Sequence, residues 1–128
     1  MASKASAGKI TTAAMMFMIG SGAGVKIWNV TEQSPAERKM IPGTEWVPLG
    51  LIDRQSVTAM IHADDIVIVY GDDISCAYAQ TAAERLLAFG VARVLIYEGG
   101  IREWQSHGQP VQCPAQSIQR VLAADADA

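Results

Sequence analysis

The chain has 128 residues, of which half are hydrophobic and 18% are charged. This length fits one domain, and the apolar content suffices to bury a core, which excludes intrinsic disorder as the main state. Ten Lys and Arg against 13 Asp and Glu give a net charge of -3, without a basic run that could hold nucleic acid through phosphate contacts. The two cysteines, Cys76 and Cys113, fit neither a disulfide framework nor a four-ligand zinc site and favour a reducing compartment.

The N-terminus carries a pattern that imitates a secretory signal. Two lysines precede an apolar stretch, Ala13 to Ile19, and small residues follow it as far as Gly24. The stretch is at the short limit for a signal and leads directly into a predicted strand, so we expect a cytoplasmic protein, and a periplasmic one only if residues 1–24 act as a signal. It is also far shorter than the roughly 20 apolar residues of a membrane-spanning helix, so we expect no membrane partner.

Hydrophobic periodicity predicts alternating helices and strands along the chain. A strand of uninterrupted apolar residues, Ile66 to Tyr70, is typical of the centre of a parallel sheet that is covered on both faces. The alternation predicts an α/β fold with a parallel sheet and right-handed crossovers. In chain order, the predicted elements are a helix over Thr12–Ile19, strands over Val25–Val30 and Glu45–Val47, a helix over Asp53–Ile61, a strand over Asp65–Tyr70, a helix that begins near Tyr78, a strand over Val94–Tyr97 and a helix over Ile101–Ser106.

The same pattern sets the expected domain limits. Residues 1–9 are predicted to be a flexible N-terminal segment, residues 10–112 the domain, and residues 113–128 a C-terminal tail. No internal repeat divides the domain.

The loop after the predicted central strand is the expected functional site, because ligands of open parallel sheets bind outside the carboxyl ends of the strands. This candidate loop consists of Gly71, Asp72, Asp73, Ile74, Ser75, Cys76 and Ala77. A loop between a strand and a helix directs backbone N–H groups at its contents, which suits an anion or a thiolate. The carboxylates of the loop and its thiol make a mixed set of hard and soft ligands with no histidine near in sequence, so we expect no metal and no cofactor.

Two stretches of the chain resemble the rhodanese homology family, the sulfurtransferase-like domains. Residues 94–104, Val-Leu-Ile-Tyr-Glu-Gly-Gly-Ile-Arg-Glu-Trp, with Gly-Gln-Pro-Val at 108–111, look like the closing signature of the family. Ile41-Pro42-Gly43, running on to Val47-Pro48-Leu49, resembles its first signature. The resemblance implies a three-layer fold with five parallel strands and helices on both faces.

The resemblance also implies a chemistry, and the sequence departs from it. Family members place a cysteine directly after the central strand, where it carries a sulfane sulfur as a persulfide. The matching residue here is Gly71, which has no side chain to hold sulfur. The Asp-Val-Arg of the family is Asn29-Val30-Thr31, and its His before Ile-Pro-Gly is Met40. Two acidic residues of the loop would also repel an anionic donor such as thiosulfate.

Cys76 keeps a catalytic alternative open. It occupies the position of a second cysteine found in family members with a longer loop, and it precedes a helix whose N-terminus lowers a thiol pKa. The structural interpretation is a small buried hydrophobic residue, with the neighbouring acids raising the pKa of the thiol. The sequence therefore favours a non-catalytic module that binds a protein partner or a small ligand at the loop, with a Cys76-dependent sulfurtransferase as the alternative.

Overall fold

A parallel five-stranded sheet organises the computed structural model, which describes residues 7–21, 25–31, 39–62, 65–72 and 77–112. The strands are β1 (Gly8–Lys9), β2 (Val25–Asn29), β3 (Glu45–Trp46), β4 (Ile66–Tyr70) and β5 (Arg93–Tyr97). They are arranged in the order β1-β5-β4-β2-β3, and every pairing is parallel. The predicted parallel α/β sheet is confirmed.

Two helices lie on each face of the sheet. They are α1 (Thr12–Ser21), α2 (Arg54–Met60), α3 (Ala77–Ala88) and α4 (Gly100–Ser106), and a short 3-10 helix spans Leu49–Leu51. One core cluster joins the side chains of α2 and α3 to one face of the sheet, and the other joins α1 and α4 to the opposite face. The sheet is therefore the middle of three layers, as the resemblance implied.

Strand β4 lies at the centre because both of its faces are apolar. It pairs over its full length with β2 on one side and with β5 on the other. Val67 and Val69 point into the first core cluster, whereas Ile68 and Tyr70 point into the second, and all four are fully buried. Alternate side chains of a strand point to opposite faces, so an unbroken apolar run supplies both cores at once.

Local sequence signals predict the start of α2 and the buried face of α3. Asp53 caps α2, where its carboxylate accepts a hydrogen bond of 2.8 Å from the amide of Ser56, and this bond lowers the pKa of Asp53. Helix α3 buries Ala79, Ala82, Ala83 and Leu86 on one stripe, as the periodicity predicts. Small alanines allow this helix to approach the sheet closely.

The edge of the sheet differs from the prediction. Gly8 and Lys9, which the sequence assigns to a flexible segment, form the edge strand β1 beside Leu95 and Ile96 of β5. A strand of two residues is too short to show a periodic hydrophobic pattern, so the local sequence does not predict this pairing. Among the described residues, no helix has the length and apolarity needed to cross a bilayer.

A matched pair of leucine substitutions tests the position of the core. Leu86 is fully buried, whereas Leu51 is 58% exposed. Leu86→Ala should lower the free energy of unfolding by about 3 kcal/mol, because it removes buried methyl groups and leaves a cavity, and Leu51→Ala should lower it by less than about 1 kcal/mol. Urea unfolding followed by circular dichroism measures both, and equal losses would contradict the assigned burial.

Candidate functional site

The candidate loop leaves the sheet at its centre. Tyr70 ends β4, Gly71 is buried directly after it, and Asp72 is exposed. Helix α3 begins at Ala77, the last residue of the loop. Asp73, Ile74, Ser75 and the candidate nucleophile Cys76 lie outside the described residues, as does Cys113. The described loop residues, Gly71, Asp72 and Ala77, contribute no thiol and no hydroxyl group.

Helix α4 fixes the start of the loop through backbone hydrogen bonds. The amide of Ile101 donates to the carbonyl oxygen of Gly71 at 3.1 Å, and the amide of Arg102 donates to that of Asp72 at 2.8 Å. The first amides of a helix have no partner within the helix, so the loop carbonyls supply the missing acceptors. The first two residues of the loop are thereby held on the N-terminus of α4.

Gly99 and Gly100, at the N-terminus of α4, each leave room for a different neighbour. Gly100 has a φ of +62°, and a Cβ there would overlap the Gly71 carbonyl oxygen and lie 2.9 Å from the Asp72 carbonyl carbon. A Cβ at Gly99 would instead overlap the side chain of Glu103, which folds back over that residue. Gly100 thus allows the loop to approach the helix, and Gly99 leaves room for a carboxylate beside the start of the helix.

A buried polar cluster lies beneath the carboxyl ends of β2 and β4. The Tyr70 hydroxyl lies 2.7 Å from Thr44 Oγ1 and accepts a hydrogen bond of 3.2 Å from the amide of Ile41. The Thr44 hydroxyl donates its proton to the carbonyl oxygen of Ile41, so the Tyr70 hydroxyl must be the donor in its bond with Thr44. Burial raises the pKa of Tyr70, although these hydrogen bonds partly oppose the shift.

Asn29 and Thr31 form a second buried group at the end of β2. Asn29 Oδ1 accepts hydrogen bonds from the amide of Thr31 at 3.1 Å and from its hydroxyl at 2.7 Å. Asn29 Nδ2 has no hydrogen bond within the described part of the chain, but the amide lies near enough to the Tyr70 hydroxyl to lower the pKa of that phenol. The end of β2 therefore carries a neutral pair of side chains where the family resemblance implies an Asp and an Arg.

The family follows from the comparison of this chain with known sequences. Residues 18–107 match the Rhodanese-like domain, a match that covers more than half of the chain. The chain belongs to the rhodanese-like domain family. No curated protein matches it at a significant level.

Several solved structures have the same fold as this chain. A crystal structure of a Bacillus halodurans protein superposes with a TM-score of 0.76 at 21% identity, covering 85% of this chain and 79% of that one. The rhodanese-like domain of an Anabaena protein gives 0.70 at 21% identity, covering 85% and 81%. A Rhodopseudomonas palustris protein of unknown function, described as a possible tyrosine phosphatase, gives 0.68 at 24% identity, covering 83% and 85%.

Sequence reasoning places a connection between β4 and α3 but misses the groups that hold its start. The bonds from α4 are made by the backbone, and only the paired glycines hint at a close approach. Tyr70 looks like one more apolar residue of the central strand, yet its hydroxyl joins that strand to the chain at Ile41 and Thr44. A tyrosine that ends an otherwise aliphatic buried strand is the signal that could have found it, because a buried hydroxyl needs a partner.

Two glycine substitutions test the contact between the loop and α4. Gly100→Ala should lower the free energy of unfolding by about 2 kcal/mol or more, because its Cβ overlaps the loop carbonyl and its φ is strained. Gly20→Ala is the control, since it lies in α1 with nothing within 4 Å of the added Cβ, and it should stabilise the domain by about 0.5 kcal/mol. Chemical unfolding of both variants measures the difference, and a neutral Gly100→Ala would show that the contact is loose.

Tyr70 should make stability fall at high pH. The unfolded tyrosine ionises near its ordinary pKa of about 10, whereas the raised pKa keeps the buried phenol protonated in the folded state. Folding is therefore weakened as pH rises above about 10, by up to about 1.4 kcal/mol per pH unit.

Unfolding by urea between pH 8 and 11 tests this dependence. Tyr70→Phe should lose less stability than the wild type over this range, although its loss of the acceptor for Ile41 costs about 1–3 kcal/mol at neutral pH. Tyr78→Phe, at an exposed tyrosine, is the control. An unchanged pH dependence in Tyr70→Phe would refute the assignment.

Proposed function

We propose that this rhodanese-like domain is a non-catalytic module that binds a protein partner or a small ligand at the loop of residues 71–77. The observation that carries the proposal is Gly71, the first residue after β4, where the family resemblance places the sulfur-bearing cysteine. A persulfide needs a thiol, and no other side chain of the described loop can replace it. Sulfur handling or regulation is the role that the family context suggests.

The surroundings of the loop support loss of the anion chemistry. Transfer of sulfur from thiosulfate brings a dianion to the loop and releases sulfite, so the site needs positive charge or free amides. The loop contains Asp72 and Asp73 and no Lys or Arg. The neutral pair of Asn29 and Thr31 adds no charge from the end of β2. A phosphatase role is also disfavoured. That chemistry uses a cysteine at the start of such a loop and an arginine at its end, and the loop of this chain begins with Gly71 and contains no arginine.

The loop nevertheless offers a framework for binding. The carbonyls of Gly71 and Asp72 are held by α4, and α3 begins at the other end of the loop. Both ends of the connection between β4 and α3 therefore join regular structure. A binding role makes use of this framework without requiring a nucleophile.

The alternative function is sulfur transfer through Cys76. In the sequence, this residue directly precedes the first residue of α3, a location where a helix N-terminus favours a thiolate. In the corresponding reaction, the thiolate would attack the sulfane sulfur of thiosulfate and release sulfite. Cyanide would then remove that sulfur as thiocyanate and regenerate the thiolate.

A sulfur-loading experiment separates the two functions. The protein is incubated with thiosulfate or polysulfide, its mass is measured, and thiocyanate formation with cyanide is assayed. The binding module should gain no cyanide-labile sulfur on Cys76, and its turnover should equal that of Cys76→Ser. The Cys113→Ser variant controls for loading of the other thiol. One added sulfur on Cys76, with turnover lost in Cys76→Ser and kept in Cys113→Ser, would overturn the non-catalytic proposal.

A further inference from the structure

The outer face of α1 is apolar and open to solvent. Ala13, Met16, Phe17 and Gly20 are all exposed, and their spacing places them on one side of the helix. Phe17 is 73% exposed and Met16 is 41% exposed. No atom of the described chain lies within 4 Å of a Cβ built at Gly20. Two large apolar side chains thus stand between two small residues on a surface that no described segment covers.

The inner face of the same helix is apolar as well. Met15 is fully buried in the second core cluster, and Met18 and Ile19 pack against that cluster. None of the ten residues of α1 is charged. A surface helix usually carries charged side chains on the face away from the core, whereas a helix that is apolar all round is normally buried on every side. We therefore expect another apolar segment to cover Met16 and Phe17.

The chain continues from the layer of the fold that contains α1. Val111 packs against the second core cluster, to which Met15 of α1 also belongs. Gln112 is held there by a two-way backbone pairing with Met40, with N–O distances of 2.7 and 2.8 Å. Residues 113–128 follow in the sequence and lie outside the described part of the chain. As a helix they would extend for about 24 Å, which exceeds the length of about 15 Å that α1 has.

The sequence of residues 113–128 matches an apolar surface of this kind. Its large apolar residues and one alanine recur at helical spacing and would form one stripe: Ala115, Ile118, Val121 and Leu122. Gln116 and Arg120 would lie on the opposite side, and Pro114 precedes the stripe at a position that favours the start of a helix. A helix of this length is marginal in water on its own, so it needs a surface to pack against.

We propose that residues 113–128 form a helix whose apolar stripe packs on the outer face of α1 and covers Met16 and Phe17. Neither the stripe nor this face of α1 carries a charge, so their contact buries no unpaired ion. The segment is attached to the same layer through Gln112, which gives it an effective concentration in the millimolar range. The attached segment is therefore favoured over a second copy of the chain, which competes only at its own concentration. This contact does not depend on the function of the candidate loop.

Nuclear Overhauser effects in the full chain test the contact directly. The Phe17 ring should show effects to the methyl groups of Ile118 and Leu122, and these effects should persist on dilution. In a mixture of isotope-labelled and unlabelled protein, no effect should pass between the two copies. No effect between Phe17 and residues 113–128 would overturn the proposal. Effects that pass between copies would overturn it too, because they would assign the face of α1 to a second copy.

Matched charge substitutions test the face that residues 113–128 use. Leu122→Asp places a carboxylate in the stripe, and Ala123→Asp places the same group on the opposite side of the helix. Leu122→Asp should speed amide hydrogen exchange across residues 115–122 about tenfold or more, because the helix loses its packing surface, and Ala123→Asp should leave the exchange rates nearly unchanged. Equal effects of the two variants would contradict the assigned stripe.

The reciprocal substitution is made in α1. Phe17→Asp changes an exposed side chain, so the domain should stay folded, but it should speed exchange across residues 115–122 as Leu122→Asp does. Leu51→Asp is the control, since Leu51 is an exposed leucine of the 3-10 helix, outside α1. Slow exchange that survives Phe17→Asp, or equal release by Leu51→Asp, would refute docking on α1.

Discussion

The contact between the N-terminus of α4 and the start of the central loop is the constraint on which the rest of the site depends. The amides of Ile101 and Arg102 donate to two loop carbonyl oxygens, with N–O distances of 3.1 and 2.8 Å. This close approach requires that Gly100 have no side chain. Because both partners are backbone groups, the contact is independent of the side chain at residue 71. A rhodanese-like domain with glycine at that position can therefore keep the start of the loop anchored to α4.

The polar groups at the carboxyl ends of β2 and β4 bond mainly to one another. Tyr70, Thr44 and Ile41 satisfy one another, and Asn29 closes on Thr31, so the carboxyl ends of β2 and β4 carry hydrogen bonds without a formal charge. A neutral network avoids the desolvation cost that a buried ion pair would impose. The same neutrality leaves an incoming anion without a compensating charge from this side. The same residues therefore hold the ends of β2 and β4 together without a buried charge.

The sequence predicts those features that depend on local pattern. The apolar run of β4, the alanine stripe of α3 and the cap at Asp53 appear in the structure where periodicity and capping place them. The edge strand β1 is not predicted, because a strand of two residues is too short to show a periodic hydrophobic pattern. It is held by residues of β5, which lie almost 90 positions away in the sequence. Thr12 and Glu103 are 91 positions apart in the sequence, so no spacing rule could have predicted the hydrogen bond between their side chains. The hypothesis for Cys76 rests on its position in the sequence, because the residue lies outside the described part of the chain.

Helix α4 uses its backbone and its side chains for different contacts. Its first amides bind the carbonyl oxygens of Gly71 and Asp72, whereas the side chains of Ile101 and Trp104 pack into the second core cluster. Because the loop is held by backbone groups alone, this contact constrains the side chains of the helix only through the glycine at position 100. A seven-residue helix can thereby join the start of the loop to the core on one face of the sheet.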